Sequence, residues 1–72
     1  MTAEEVGRIV REARRAMGLT QQQLAGAAGV GVRFLIELEA GKPTAQLGRA
    51  LAVLNVLGCY VRIDAPKDIS AW

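Results

Sequence analysis

The side chains best suited to hydrogen-bonding chemistry lie between residues 20 and 42 of this 72-residue chain. Arg33 carries a planar guanidinium, which can donate two parallel hydrogen bonds to guanine O6 and N7, the commonest base-specific contact in DNA recognition. Gln21, Gln22 and Lys42 can donate to phosphate oxygens. On a surface that contacts DNA, Arg33 would therefore read a base and the other three would bind phosphates; the alternative is a solvated polar surface.

The groups required for most enzyme chemistry are missing. The chain has no histidine and one cysteine, Cys59, so neither a nucleophilic triad nor a zinc site can be assembled. No glycine-rich phosphate loop with its lysine is present. We expect no enzymatic activity and no cofactor, and we interpret Cys59 as a small buried apolar residue.

Composition indicates one small globular domain. The hydrophobic fraction is 51% and the net charge is only +2, so the chain is neither a disordered tail nor a generic polycation. A core of this size is marginal, and dimerisation is a common remedy. No apolar run approaches the ~20 residues that cross a bilayer, and the acidic start does not resemble a signal peptide. We expect no membrane association and a cytoplasmic location, with the protein on the nucleoid when DNA is bound.

Two short helices joined by a tight turn must position the polar side chains. A capping box of Thr20 and Gln23 begins the first, which we place at about residues 21–27, and Gly29 can take the left-handed conformation that ends it. The second runs from about residue 32 to 40. This is a helix-turn-helix arrangement, which presents its second helix to the DNA major groove.

Two further helices and one strand are predicted around this pair. One helix covers about residues 3–17, with Thr2 capping it and an apolar stripe along it, and another covers about residues 45–57 with Thr44 as its N-cap. Residues 59–64 alternate in polarity, as a short strand does. Since the sequence contains no second strand, we expect pairing with the same strand of another copy. The predicted dimerisation residues are Cys59, Tyr60, Val61, Arg62 and Ile63.

The chain resembles the phage-repressor (Cro-type, xenobiotic-response-element) helix-turn-helix family over roughly residues 6 to 57. The resemblance rests on Leu19-Thr20-Gln21, Gln23-Leu24-Ala25, Gly29-Val30, Glu37-Leu38-Glu39 and Gly41-Lys42. Arg33-Phe34 and the block from Glu37 to Thr44 are similar, more narrowly, to the HipB-like antitoxins. Those proteins are dimers that pair a C-terminal strand.

The resemblance implies a mainly α, four-helix repressor-like domain in residues 1–64, with the strand at 59–64 paired across a homodimer. It implies a repressor that binds a palindromic double-stranded operator, controls its own operon and also binds a HipA-type kinase toxin. Gln21 matches a phosphate-contacting glutamine of the family. Glu39 matches an acid that ties down a basic residue of helix 1, for which Arg11 and Arg14 are candidates.

The chain departs from the family pattern at the start of the second helix. The family often has Ser or Thr at position 31 and a polar residue at 32, whereas this chain has Gly31 and Val32. Val32 can touch only a thymine methyl or a sugar edge, and Glu37 can accept from cytosine N4 or pair with Arg33. The second helix therefore offers few side chains that can hydrogen-bond to base edges. We expect a sequence specificity that is low or that depends on DNA shape.

The C-terminal tail, residues 65–72, contains Pro66 and little periodicity, and we predict that it is mobile. Its last residue, Trp72, is a candidate anchor for the toxin, although it could equally fold back on its own dimer. Two other functions stay open. One is a stand-alone phage-type or host regulator, and the other is a helix-turn-helix used only for protein contacts after loss of DNA binding.

Overall fold

The computed structural model describes residues 1–66, which form four α-helices and no strand. The helices are α1 (Ala3–Ala16), α2 (Gln21–Ala28), α3 (Val32–Glu39) and α4 (Leu47–Val56). α3 packs against α1 and α2, and α2 also packs against α4. The four predicted helices are confirmed, and α2 and α3 are the pair joined by the tight turn. None of the helices in residues 1–66 combines the length and the apolar character needed to cross a membrane.

The start and end of α2 follow from local chemistry. The amide of Gln23 donates to Thr20 Oγ1 at 3.1 Å and the amide of Thr20 donates to Gln23 Oε1 at 2.8 Å, so the predicted capping box is complete. Gly29 ends the helix at φ 70°, in the left-handed region that a side chain rarely adopts. The amide of Val30 then donates to the carbonyl of Ala25 at 3.0 Å, which fixes the turn into α3.

Each helix contributes one completely buried side chain to the centre of the core. These four are Val10, Leu24, Leu35 and Val53, all with 0% exposure. Burying each such side chain is worth about 1.5–3 kcal/mol, so the packing of Leu35 against α1 and α2 fixes the orientation of α3. The rest of the buried core consists of Ala25, Leu38, Ala50, Leu54 and Leu57.

The apolar stripe predicted along α1 is only partly inward. Val10 is buried and Val6 and Ala13 pack against the core, whereas Ile9 and Met17 are exposed. Ile9 is one residue from Val10, which places it about 100° further round the helix and beyond the arc that α3 covers. One buried stripe therefore overstates how much of α1 the small core can cover.

α4 begins later than predicted. Its N-cap is Gln46, without a side-chain cap bond, and not Thr44. The chain makes a turn at residues 43–44, and Ala45 packs against the core before the helix begins. Residues 43–45 thus form the connection between α3 and α4 and are not part of the first turn of α4.

The segment after α4 has no regular secondary structure up to residue 66. Cys59 is half-buried against the core, and its amide donates to the carbonyl of Leu54 at 2.9 Å, but Tyr60 and Ile63 are largely exposed. No strand lies beside this segment within residues 1–66, so the strand at 59–64 stays a prediction. Trp72, the predicted toxin anchor, and most of the predicted mobile tail lie outside the described residues.

Candidate nucleic-acid interface

The outward face of α3 carries the two predicted base-reading residues at its start. Val32 is 38% exposed, and Arg33 is exposed beside it. Ile36, which lies one turn after Val32, is 45% exposed, while Leu35 and Leu38 point into the core. Sequence reasoning did not select Ile36, because an isoleucine next to a buried leucine is usually a core residue.

The guanidinium of Arg33 has no hydrogen bond or ion pair with any other residue in the described part of the chain. Its donors therefore need not be released before they bind another molecule. Because α3 is short and anchored by Leu35 and Leu38, the base of this side chain is held on a fixed backbone. Its position at the second residue of α3 is where recognition helices contact base edges.

Glu37 and Lys42 form an exposed ion pair at the end of α3. Lys42 Nζ lies 3.3 Å from Glu37 Oε1, with 46% and 39% of the two side chains exposed. The backbone amide of Lys42 also donates to the carbonyl of Glu37 at 3.1 Å, which places the lysine beside the helix. The pairing of Glu37 with Arg33, four residues earlier, is not formed. Glu37 instead holds the cation that was predicted to bind phosphate.

A second carboxylate of α3, Glu39, is the centre of a partly buried polar network. Arg14 donates from Nε to Glu39 Oε2 at 2.7 Å and from Nη2 to Oε1 at 3.0 Å, while its Nη1 donates to the carbonyl of Leu19 at 2.9 Å. Gln21 Nε2 also donates to Glu39 Oε1 at 3.2 Å. Of the two candidates on helix 1, it is Arg14 that Glu39 binds. The network joins α1, the start of α2 and the end of α3.

The charge of Arg14 in this network does not depend on pH near neutrality. Hydrogen bonding to Glu39, together with its negative charge, raises the pKa of Arg14 above its ordinary value, and burial opposes this only in part. A raised pKa in a base means that the stabilisation is present below that pKa and is lost only as the pH rises through it. Arg14 is therefore charged throughout the physiological range, and the arginine side of the pair is permanent.

The other predicted phosphate contacts lie at the N-terminus of α2. Gln22 is exposed, whereas Gln21 is half-buried and directs its amide nitrogen to Glu39. In this state the side chain of Gln21 braces α2 against α3. The structure thus places Gln21 at the predicted location, with one of the two N–H donors of its amide already bonded to Glu39.

Basic side chains line open cavities on both sides of α3. One cavity brings Ile36 and Gln21 together with Arg11 and Arg15 of α1. The other brings Arg33 together with Lys42 and with Arg49 of α4. Arg49 was not predicted, because its position in a mainly apolar helix gives no sign that it lies beside α3.

The comparisons with known proteins agree with this geometry. The profile of the helix-turn-helix family matches residues 10–63, which include α2, α3 and α4 completely. The chain is also similar to y4mF, described only as an uncharacterized HTH-type transcriptional regulator of Sinorhizobium fredii. The two are 54% identical over 67 residues, which make up 93% of this chain and 88% of the relative.

Proposed function

Because this chain belongs to the helix-turn-helix family of DNA-binding transcriptional regulators, we propose that it binds a palindromic operator as a homodimer and represses its own operon. The observation that carries the proposal is the position of α3, whose exposed face lies between two cavities lined by basic side chains. Phosphates border the major groove on both sides, so a helix lying in the groove needs cations on both of its flanks.

Within that complex the residues of α3 have distinct roles. Arg33, with free donors, binds guanine O6 and N7. Val32 lies against a thymine methyl or sugar edge, and Glu37 accepts from cytosine N4 when Lys42 moves to a phosphate. Phosphate contacts come from Lys42, from Gln22 and from Gln21 at the N-terminus of α2, where the helix dipole favours an anion.

Binding to a fragment of the chain's own promoter, measured over a range of salt concentrations, tests this function. We expect protection of two successive major grooves about 34 Å apart and a steep loss of affinity with salt. For arginine substitutions in α3, Arg8→Ala is the matched control and should leave this binding nearly unchanged. Arg8 is an exposed arginine of α1 that lines neither cavity. A protein that shows no salt-dependent binding, or that protects no paired grooves, would instead be a helix-turn-helix used for protein contacts.

We propose that a second copy covers an apolar groove on the side formed by α1 and α4. Ile9, Leu47 and Leu51 line this groove together with Val61, and Leu47 is 70% exposed. No residue of α3 lines it, so dimerisation leaves the recognition surface free. The strands at 59–64 of the two copies would pair beside the groove, which gives each strand the ladder partner that one chain lacks.

Val61→Pro tests the strand. Proline removes the backbone donor at this position and should shift sedimentation from dimer to monomer, with a lower melting temperature. Val61→Thr is the control, because threonine keeps the N–H and suits a strand. A Val61→Pro protein that remains a full-strength dimer would mean that the helices, and not the strand, hold the two copies together.

The finer function that we propose is that of a HipB-like antitoxin, which binds a HipA-type kinase toxin as well as DNA. The support is the resemblance of Arg33-Phe34 and of the block from Glu37 to Thr44 to those antitoxins. Deleting residues 65–72, with Trp72, should weaken toxin binding and leave operator affinity nearly unchanged. If no toxin copurifies and no kinase-like frame adjoins the gene, a stand-alone regulator replaces this proposal.

A further inference from the structure

We propose that Val32 and Ile36 form a methyl-reading stripe, which contacts the C5-methyl groups of pyrimidines in the major groove. The inference rests on the proposed DNA-binding function and adds a specificity-determining residue, Ile36, together with the chemistry that it recognises. Val32 and Ile36 lie one helical turn apart and are 38% and 45% exposed. Neighbours at this spacing lie on the same side of a helix, so the two branched side chains form one continuous apolar surface.

The surroundings of the stripe identify its occupant. Ile36 shares its cavity with Arg11 and Arg15, and the neighbour of Val32, Arg33, lines the cavity that contains Lys42 and Arg49. Each cavity is also lined by one carboxylate, Glu39 in the first and Glu37 in the second, but the cations outnumber it. The stripe is thus an apolar strip with an excess of positive charge on both sides. A polyanion with an apolar group at its centre matches that pattern. The major groove of DNA has this arrangement, with phosphates at its edges and methyl groups on its floor.

A protein partner fits this surface less well. A stable protein interface buries about 800 Å² on each partner and has an apolar core to match. Here the apolar strip consists of two side chains, and its rim is occupied by several arginines. Among the groups that DNA displays in the major groove, the pyrimidine C5-methyl is the apolar one.

The methyl group has two sources, thymine and 5-methylcytosine. Both place it at the same position of the pyrimidine ring, and aliphatic side chains interact with it by burying apolar surface. Loss of one buried methyl should weaken binding about fourfold, from the usual value of about 0.8 kcal/mol per methylene-sized group. Hydrogen bonding by Arg33 to a neighbouring guanine would be unaffected by that loss.

Uracil scanning of the operator tests the inference. Uracil keeps every hydrogen-bonding group of thymine and lacks only the methyl, so each thymine is replaced in turn and the dissociation constant is measured. We expect about a fourfold loss at one or two positions in each half-site. The Ile36→Ala protein should bind the thymine and uracil duplexes equally well at its position, while Arg33→Ala should remain sensitive to uracil.

Ile36 is partly exposed, so its truncation should leave the fold intact, and Ile36→Val provides a milder variant with most of the surface retained.

In a separate arm, cytosines within the footprint of α3 are replaced by 5-methylcytosine. A gain in affinity there that Ile36→Ala abolishes assigns methylated cytosine as a source of the methyl. Sensitivity to uracil without such a gain assigns thymine alone.

The failures of the two proposals are distinguishable. If the protein binds no DNA, both the proposed function and the methyl contact are wrong. If the operator is bound, the uracil scan is flat and 5-methylcytosine gives no gain in affinity, only the methyl contact is wrong. Equal sensitivity to uracil in the wild-type and Ile36→Ala proteins would also overturn the role of Ile36, because another residue would then read the methyl.

Discussion

The two carboxylates of α3 lie two residues apart and differ in almost every physical respect. Glu39 is 5% exposed and binds Arg14 through two hydrogen bonds, at 2.7 and 3.0 Å, with a third from Gln21. Glu37 is 39% exposed and has one contact, at 3.3 Å, with Lys42. One ion pair faces the rest of the domain, and the other faces the surface that we assign to DNA.

The difference separates a fixed side of α3 from an exchangeable side. Removing one partner of a partly buried pair that is joined by charged hydrogen bonds costs about 1.5–3 kcal/mol, since the remaining donors or acceptors lose their partners. An exposed pair is worth only about 0–1 kcal/mol, so a phosphate can take over the cation at little cost. Glu39 therefore holds the helix in place, while Glu37 can give up Lys42 when DNA arrives.

Glu39→Ala is the change with the largest expected effect. It leaves the partly buried Arg14 without its carboxylate, so we expect the free energy of unfolding to fall by about 1.5–3 kcal/mol in urea denaturation. Glu37→Ala is the matched control on the same helix and should change stability by less than about 0.5 kcal/mol. Equal losses in the two variants would show that burial does not distinguish the pairs.

Gly7→Ala tests the contact between α1 and α3 beside the fixed side. A Cβ at Gly7 would lie 2.8 Å from the carbonyl oxygen of Glu39 and would also overlap the carbonyl oxygen of Leu38. Because both are backbone atoms, the helices must separate, and we expect a loss of about 1–3 kcal/mol, measured by thermal unfolding.

Gly26→Ala is the control for that substitution. Gly26 lies within α2, and a Cβ there meets nothing within 4 Å. Alanine should stabilise this helix by about 0.5–1 kcal/mol relative to glycine. If Gly7→Ala stabilised the protein as Gly26→Ala is expected to, the packing of α1 against α3 would not require a glycine at position 7.

The smallest expected effect on stability comes from Lys42→Ala on the exchangeable side. We expect a change in unfolding free energy within about 0.5 kcal/mol. The affinity for all DNA sequences should fall alike, and the salt dependence should decrease by about one counterion. Glu37→Gln should act in the opposite direction on non-specific affinity, because it releases Lys42. A Glu37→Gln protein with weaker non-specific binding would contradict the exchange.

The local features of α2 were predictable from the sequence, whereas the N-cap of α4 and the side-chain contacts between helices were not. The capping box of α2 and the turn at Gly29 depend on residues within a few positions of one another, and both were predicted correctly. The partner of Glu39 was narrowed to Arg11 or Arg14 by resemblance, but the choice depends on the rotation of α1 against α3. The constraint at Gly7 depends on the same packing and was missed.

Three members of the candidate site, Arg33, Lys42 and Val32, were predictable from the sequence, whereas Ile36 and Arg49 were not. Arg33 and Lys42 stand out by residue type, and the structure places both beside the same cavity. Ile36 was missed because residue type indicates core. The sequence did contain one sign that an apolar side chain of α3 is exposed. Five of its eight residues are apolar, and the buried face of so short a helix cannot hold all five. Arg49 joins the site only through the packing of α4.

Affinity ratios measured with Arg33→Ala test most directly the claim that α3 reads DNA with its exposed face. The ratio of affinity for the operator to affinity for random DNA is compared in wild type, Arg33→Ala and Lys42→Ala. We predict that Arg33→Ala lowers the ratio by an amount equivalent to about 1–3 kcal/mol and relaxes preference at one base pair in each half-site, while Lys42→Ala leaves the ratio unchanged. An unchanged ratio in Arg33→Ala would contradict the base-reading role of α3.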